Sequence, residues 1–213
     1  MKHAKSLLTA ALLATVLPAL QGCFPVVATG VAVGVLAVTD RRTVGTQAED
    51  ETIEWKVGNR VGNRFGDKLH LNSTSYNRKV LLTGEVPNEE IKAQIGEIAS
   101  RVENVNGIYN ELQVAAVSSL SARSNDAYIT SKVKTRFIDA NQFAANHVKV
   151  VTEAGVVFLL GIVNEREAKA AVQVARTTAG VVKVVNVLEI VPESETRRLD
   201  LTAEKKADKK PAQ

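Results

Sequence analysis

Cys23 is the only cysteine among the 213 residues, and its surroundings predict a covalent modification rather than a disulfide. It follows Leu20-Gln21-Gly22, at the end of an apolar run that begins at Leu7 behind two lysines. The run has the length of a secretory signal's hydrophobic region and is shorter than the ~20 residues of a membrane-spanning helix. A small residue before a cysteine at this place is typical of a lipoprotein signal, which is cut before the cysteine. We therefore predict a signal peptide over 1–22 and acylation of Cys23 by fatty acids such as palmitate; an ordinary secretory signal with an incidental cysteine is the alternative.

The other groups able to do chemistry are few. His70 and His147 fall at equivalent strand starts of two repeated units, and two histidines in separate units do not supply the three or four ligands of a zinc site. Glu89-Glu90, Glu165 and Glu167 fall at predicted helix starts, where acids interact favourably with the helix dipole. The sequence has no nucleotide-binding glycine loop and no serine nucleophile elbow. We therefore predict no catalytic residues, no metal, no cofactor and no small-molecule substrate.

Composition limits the partners. The formal charge of +4 falls to +2 after signal cleavage, because the signal peptide carries Lys2 and Lys5 and no acid. This small excess argues against a nucleic-acid binder. Hydrophobic residues make up 45% of the chain but aromatic residues only 4%, so aliphatic side chains must form the cores.

An internal repeat organises the main body of the chain. Ile53–Val57 aligns with Ile129–Val133 at an offset of 76, and Val80–Val86 aligns with Val157–Val163 at an offset of 77. Apolar residues recur every four positions in the first segment of each copy, which indicates a helix; the core residues predicted there are Ile53, Val57 and Val61, and Ile129, Val133 and Phe137. A hairpin, a second helix with an asparagine cap and a valine-rich last strand follow in each copy. The prediction is an α+β fold of two tandem α-β-β-α-β units, each a three-stranded sheet with two helices on one face.

The predicted boundaries follow from this repeat. Residues 23–47 form the lipidated N-terminus and tether, 48–114 the first unit, 115–125 a serine-rich linker, 126–191 the second unit, and 192–213 a charged, disordered tail. The apolar part of the tether carries Gly30 and Gly34, a spacing that also permits close helix contact in membranes. We favour a tether near the lipid surface because the segment is short and rich in poor helix formers.

One helix has a surface suited to a membrane. The first helix of the second unit, predicted from Asp126 to Ala140 with Asn125 or Asp126 as N-cap, combines basic and apolar side chains outside its core face. The predicted phospholipid-binding residues are Tyr128, Lys132, Lys134, Thr135, Arg136, Ile138 and Phe143. Each Lys or Arg near an anionic bilayer contributes about 1 kcal/mol, while apolar side chains enter at headgroup depth. A solvated basic helix without a ligand is the alternative.

The order of elements resembles the BON domain of bacterial envelope proteins over residues 48–191, with a Val-x-Leu-x-Gly turn into the second helix and a valine-rich last strand. With the lipoprotein signal and the TDRRTVGTQ segment, the chain is similar to dual BON-domain outer-membrane lipoproteins of Gram-negative bacteria. The resemblance implies a non-enzymatic protein that supports outer-membrane integrity, binds anionic phospholipid through its second BON domain and concentrates at the division site. Phe24, rather than aspartate, follows the cysteine, which predicts a periplasm-facing lipid anchor in the outer membrane. The alternative function is a structural adaptor that docks on other envelope proteins.

Overall fold

Two units with the same order of elements lie in residues 40–208, the part of the chain that this computed structural model describes. The predicted signal peptide, Cys23 and residues 23–39 of the predicted tether fall outside these residues. The first unit contains α1 (Val44–Phe65), β1 (His70–Tyr76), β2 (Lys79–Val86), α2 (Glu89–Ser100), β3 (Gly107–Asn110) and β4 (Gln113–Val114). The second unit contains α3 (Leu120–Ala140), β5 (Val148–Glu153), β6 (Val156–Val163), α4 (Glu165–Arg176), β7 (Lys183–Asn186) and β8 (Glu189–Ile190), and α5 (Glu193–Asp208) follows it. The predicted α-β-β-α-β order and the α+β class are confirmed.

The sheet of each unit has a hairpin at its edge. β1 and β2 are antiparallel, while β3 and β4 both pair with β2 in parallel, and β5 to β8 repeat this arrangement. The single last strand predicted for each unit is divided in two at an asparagine. The side-chain oxygen of Asn110 accepts a hydrogen bond from the N–H of Leu112 at 3.4 Å, and Asn186 accepts one from Leu188 at 3.0 Å. Such a bond to the backbone two residues on bends the chain locally, so each sheet has four strands rather than three.

One face of each sheet is covered by the two helices of its unit. The predicted core residues of the first helices are all buried: Ile53, Val57, Val61, Ile129, Val133 and Phe137. They pack against alternate strand residues, such as Val80 and Leu82 in the first unit. The core predicted from the four-residue spacing is therefore confirmed.

The opposite faces of the two sheets contact each other. Leu81 points away from the core that holds Val80 and Leu82, because successive strand residues face opposite sides. It lies instead in a buried cluster formed by both units: Tyr76, Leu81, Val151, Phe158, Leu160, Ile162 and Val187. The two units thus form one body, and β2 and β6 are buried on both faces along nearly their whole length.

A buried aspartate in each first helix fixes the hairpin beside it. Asp126 accepts hydrogen bonds from the N–H groups of Ala154 and Gly155, at 3.0 and 2.8 Å. Asp50, 76 positions earlier, accepts from the N–H groups of Asn77 and Arg78, both at 2.8 Å. The two residues of each turn have positive φ, as a two-residue hairpin of the favoured twist requires. The aspartates therefore anchor the turns to the helices.

This placement corrects the predicted start of the second unit. Asp126 lies inside α3 rather than at its N-cap, and α3 begins at Leu120, within the predicted linker 115–125. The N-cap is Ser119, whose side chain accepts from the N–H of Ala122. The helix continues upstream because Ser119 satisfies its first N–H groups while Asp126 is engaged by the hairpin.

The glycines of the two Val-x-Leu-x-Gly stretches lie within strands, not at the turn into the next helix. A side chain at Gly84 would collide with the carbonyl oxygen of His70, and one at Gly161 with that of His147. Gly84 also has a φ of 117°, which side-chain-bearing residues rarely adopt. Both units therefore require glycine at this position, because the neighbouring strand passes too close to leave room for a side chain.

The two ends of the described chain meet on the second unit. The buried guanidinium of Arg41 binds Glu167 at 2.7 Å and Asp200 of α5 at 2.7 Å. It also donates to the carbonyl oxygen of Ile162 at 2.8 Å. The tail predicted to be disordered from 192 is therefore helical over Glu193–Asp208, and buried Thr196 bonds Asn164 on the body of the unit. The prediction was wrong because these stabilising contacts come from distant residues, while the local composition is charged.

Candidate lipid-binding surface

The predicted lipid-binding residues lie on or just after α3, and the structure places them in three different environments. Four of them are exposed: Tyr128, Lys134, Thr135 and Ile138. Tyr128 and Ile138 are 63% and 67% exposed although both are largely apolar. The spacings of seven and three residues between Tyr128, Thr135 and Ile138 place them along one stripe of the helix. We name these four residues the α3 outer face.

Two of the predicted cations are partly engaged by the C-terminal end of α4. Lys132 donates to the carbonyl oxygen of Ala179 and lies 4.7 Å from the centre of the Tyr128 ring. Arg136 donates to Thr178 Oγ1 at 3.0 Å and to the carbonyl oxygen of Val174 at 3.2 Å. Cations are favourable at a helix C-terminus, so both residues stabilise the domain as well as bordering the outer face.

Phe143 does not belong to this surface, and its assignment as a lipid contact is corrected. The chain turns at Asn141, which adopts the left-handed conformation that ends α3. The turn directs the Phe143 ring inward, where its centre lies 5.0 Å from that of Phe137 in an edge-to-face contact. Phe143 is 8% exposed and is part of the hydrophobic core of the second unit.

The equivalent surface of the first unit has different chemistry. At an offset of 76, the α1 residues that match Tyr128, Lys134, Thr135 and Ile138 are Thr52, Gly58, Asn59 and Gly62. All four α1 residues are exposed, and they offer neither a cation nor a large apolar group. The two helices therefore differ in chemistry at equivalent positions of the fold.

Trp55 is an exposed aromatic residue of α1 that the sequence reasoning missed. It lies on the outer side of α1 and is 67% exposed. The matching residue of α3 is Ser131, so this aromatic group is a feature of the first unit alone. Its position two residues after the core residue Ile53 could have predicted exposure, because two residues are about half a helical turn.

A separate group of titratable side chains lies between the units: His70, Glu85 and Glu153, here named the His70 cluster. His70 Nδ1 is 3.1 Å from Glu85 Oε2 and 3.7 Å from Glu153 Oε1. One potential ligand atom from each residue lies within 4.8 Å of the others, so the group has the composition and spacing of a possible metal site. Burial raises the pKa of Glu153; His70 opposes this rise and Glu85 adds to it. Sequence reasoning compared the two histidines with each other and overlooked the glutamates that the sheet and the second unit bring to His70.

Within 40–208, no helix is both long enough and apolar enough to cross a membrane. Separately, the exposed stripe of α3 is partly apolar and is bordered by cations.

Comparison with known proteins agrees with the repeat. The family model of the BON domain matches residues 49–116 and 125–192. The chain is 42% identical over 172 residues to the outer membrane lipoprotein DolP of Haemophilus influenzae, covering 80% of this chain and 89% of that protein. It is 34% identical over 154 residues to a 21 kDa hemolysin of Actinobacillus pleuropneumoniae, covering 71% and 79%. It is 29% identical over 150 residues to the osmotically-inducible protein Y of Escherichia coli K12, covering 68% and 75%.

The two matched segments coincide with the two α-β-β-α-β units, each with its helices on one sheet face. Together with the identity to these relatives, this shows that the chain belongs to the BON-domain family and carries two BON domains in tandem.

Proposed function

We propose that this protein is a lipid-anchored outer-membrane lipoprotein whose second BON domain binds anionic phospholipid through the α3 outer face. The relative named outer membrane lipoprotein DolP supports the location, and the predicted acylation of Cys23 supplies the anchor. The single observation that carries the lipid assignment is the exposure of Tyr128 and Ile138 beside Lys134 on one helix.

The physical reason is a combination of two weak attractions. A tyrosine and an isoleucine can enter the headgroup region without leaving a charge unsolvated, since the tyrosine hydroxyl stays near water. Lys134 and the half-buried Lys132 and Arg136 each add about 1 kcal/mol at an anionic surface. Because the anchor already holds the protein at the membrane, these contacts select which lipids it stays beside.

Vesicle sedimentation tests the proposal. We expect residues 40–208 to sediment with vesicles containing phosphatidylglycerol and to remain in solution with vesicles of phosphatidylcholine alone. The bound fraction should fall as salt rises, since screening shortens the reach of surface charges to about 8 Å at physiological ionic strength. The double variant Tyr128→Glu/Ile138→Glu should lose binding, because it places two carboxylates against the headgroups.

A matched control keeps the change in charge constant. Val44 and Leu201 are exposed apolar residues of α1 and α5, so Val44→Glu/Leu201→Glu adds the same two charges away from the α3 outer face. This control should bind nearly as well as the unmodified protein. Equal loss in both double variants would mean that net charge alone drives binding, and no binding by the unmodified protein would overturn the lipid assignment.

The adaptor function is the second candidate, and exposed Trp55 favours it. Tryptophan is enriched among the residues that dominate protein interfaces, and α1 carries it on the side away from the core. If Trp55→Ala abolishes recovery of crosslinked envelope proteins while vesicle binding persists, the first domain serves protein contacts and the second serves lipid.

The roles in outer-membrane integrity and at the division site rest on the family resemblance. We expect a deletion strain to become sensitive to detergents and a fluorescent fusion to concentrate at the septum. The Tyr128→Glu/Ile138→Glu variant should remain in the outer membrane but lose septal concentration if lipid binding directs the protein there.

A further inference from the structure

The His70 cluster joins the two BON domains. His70 and Glu85 are cross-strand partners of β1 and β2, while Glu153 is the last residue of β5 in the second domain. Glu85 and Glu153 are each 5% exposed, so two carboxylates from different domains lie out of water within reach of one imidazole. Buried carboxylates are costly unless a cation or several hydrogen bonds compensate for lost hydration.

The protein provides such a cation elsewhere but not here. Because the domains are copies of one fold, each residue of the His70 cluster has an equivalent in the other domain. His147 is equivalent to His70, Ile162 to Glu85 and Tyr76 to Glu153. At that second location the Arg41 guanidinium binds the Ile162 carbonyl oxygen and two carboxylates. Within residues 40–208, the ion pairs of Glu85 and Glu153 are with His70 alone, and no Lys or Arg pairs with either carboxylate.

Two buried hydroxyl groups lie beside the cluster without hydrogen-bond partners among the described residues. Thr83 is 1% exposed, and its Oγ1 lies near the Glu153 carboxylate without bonding it in standard geometry. The N–H of Ser118 donates to Glu85 Oε2 at 3.1 Å, while its own buried hydroxyl has no partner. A buried hydroxyl group without a partner is uncommon, so the Ser118 hydroxyl beside Glu85 is a second indication of an additional ligand at this place.

We propose that His70, Glu85 and Glu153 bind a divalent transition-metal ion of the Zn²⁺ class that links the two BON domains. One imidazole nitrogen and two carboxylate oxygens are ligands that Zn²⁺ accepts at about 2.0–2.2 Å, with a further position for water or a hydroxyl group. Tetrahedral ligands at those lengths lie about 3.3 Å apart, close to the His70–Glu85 and His70–Glu153 distances of 3.1 and 3.7 Å. One ligand atom from each of the three residues already lies within 4.8 Å of the others.

An entry path is present. A cavity of about 370 Å³ is lined by His70 and Glu153 together with residues of α3, among them Arg123 and Thr130. Arg123 is exposed and forms no ion pair within residues 40–208, so it borders the cavity without neutralising the carboxylates. The ion would bring charge balance to the cluster and would hold the start of β1 against the end of β5.

Metal titration of the full chain, purified in detergent with an affinity tag that contains no histidine, tests the site. We expect Zn²⁺ to bind with 1:1 stoichiometry by calorimetry, Co²⁺ to give the visible absorption of a low-coordinate site, and either ion to raise the melting temperature. Glu153→Gln keeps the shape of the side chain but removes a ligand charge, and it should weaken Zn²⁺ binding at least tenfold. Glu189→Gln is the matched control, because Glu189 is also an acid between the domains and pairs with Lys79 rather than with His70.

The outcomes are separable from those of the vesicle experiment, because no residue of the α3 outer face takes part. The site is supported if Glu189→Gln binds Zn²⁺ as the wild type does, while Glu153→Gln and His70→Gln lose this binding. If Zn²⁺ and Co²⁺ leave the wild-type melting temperature unchanged, or if Glu153→Gln binds as tightly as Glu189→Gln, the proposal is overturned. A Glu153→Gln variant that gains stability while the wild type ignores metal also overturns it, since the cluster then holds only a proton.

Discussion

Removing the Asp126 carboxylate should destabilise the second domain by breaking the connection between α3 and the β5–β6 turn. Asp126→Ala deletes two charge-assisted hydrogen bonds, to Ala154 and Gly155, and leaves their N–H groups to find other partners. Bonds to a charged group contribute about 1.5–3 kcal/mol each, but the turn lies near the surface and water can replace part of the loss. We expect the free energy of unfolding to fall by about 3 kcal/mol, which corresponds to a decrease of roughly 6–12 °C in melting temperature for a protein of this size.

Urea and thermal unfolding followed by circular dichroism measure this effect. Asp139→Ala is the control, because Asp139 lies on the same helix with an exposed side chain near the C-terminus, where an acid is slightly unfavourable. The corresponding Asp50→Ala variant should lose more, since Asp50 also accepts from Ser75 Oγ at 2.6 Å and pairs with Arg42 at 2.8 Å. The reasoning fails if Asp126→Ala unfolds within about 0.5 kcal/mol of the control.

Two further predictions concern glycines and acid. Gly58→Ala should stabilise the protein by about 1 kcal/mol in urea unfolding, because this helical position is exposed and the added side chain meets open space. Gly84→Ala should destabilise the protein, because the added side chain collides with the backbone of His70. Similar effects at both sites would contradict the strand contact. Burial would raise the pKa of Glu167, but hydrogen bonds from Arg41 and the backbone outweigh burial and hold that pKa below its ordinary value. The stability from this pair is therefore present at neutral pH and is lost as pH falls through the lowered pKa. The destabilisation caused by Arg41→Gln should accordingly be smaller in urea unfolding at pH 3 than at pH 7, and a pH-independent difference would refute the assignment.

The sequence predicted what depends on local periodicity and on the repeat. The helices α1 to α4, the hairpins and the inward residues of α1 and α3 follow from spacings that a single element displays. The packing of the two sheets was missed, although the strands carried a signal for it. Val80, Leu81 and Leu82 are consecutive apolar residues, and Val157–Leu160 is a longer run of the same kind. A strand with one face in water alternates polar and apolar residues, so these runs indicate burial on both faces.

The errors at Phe143 and in the C-terminal segment have physical causes that the local composition does not display. Phe143 follows a charged helix and reads as part of its surface, but one left-handed residue, Asn141, redirects the chain into the core. The C-terminal segment reads as disordered because its own composition is charged, yet Arg41, 159 positions before Asp200, helps to hold it. The contact between Arg41 and Asp200 joins residues so far apart that it leaves no periodic pattern in the C-terminal segment. Only the three-dimensional arrangement brings them together.

The duplication explains why the two domains can share a fold and differ in chemistry. Positions that the fold requires carry the same residue in both copies, as with Gly84 and Gly161 or Asp50 and Asp126. Positions outside these requirements diverge, and they include the α3 outer face and the His70 cluster. Because Ile162 takes the place of Glu85 in the second copy, the fold supplies two equivalent locations but only one set of acidic ligands. If the fold does not depend on the residues at these positions, they can be exchanged between the domains. The variant Tyr128→Thr/Ile138→Gly gives α3 the residues that α1 has at the matching positions. It should abolish vesicle binding and retain metal binding at the His70 cluster.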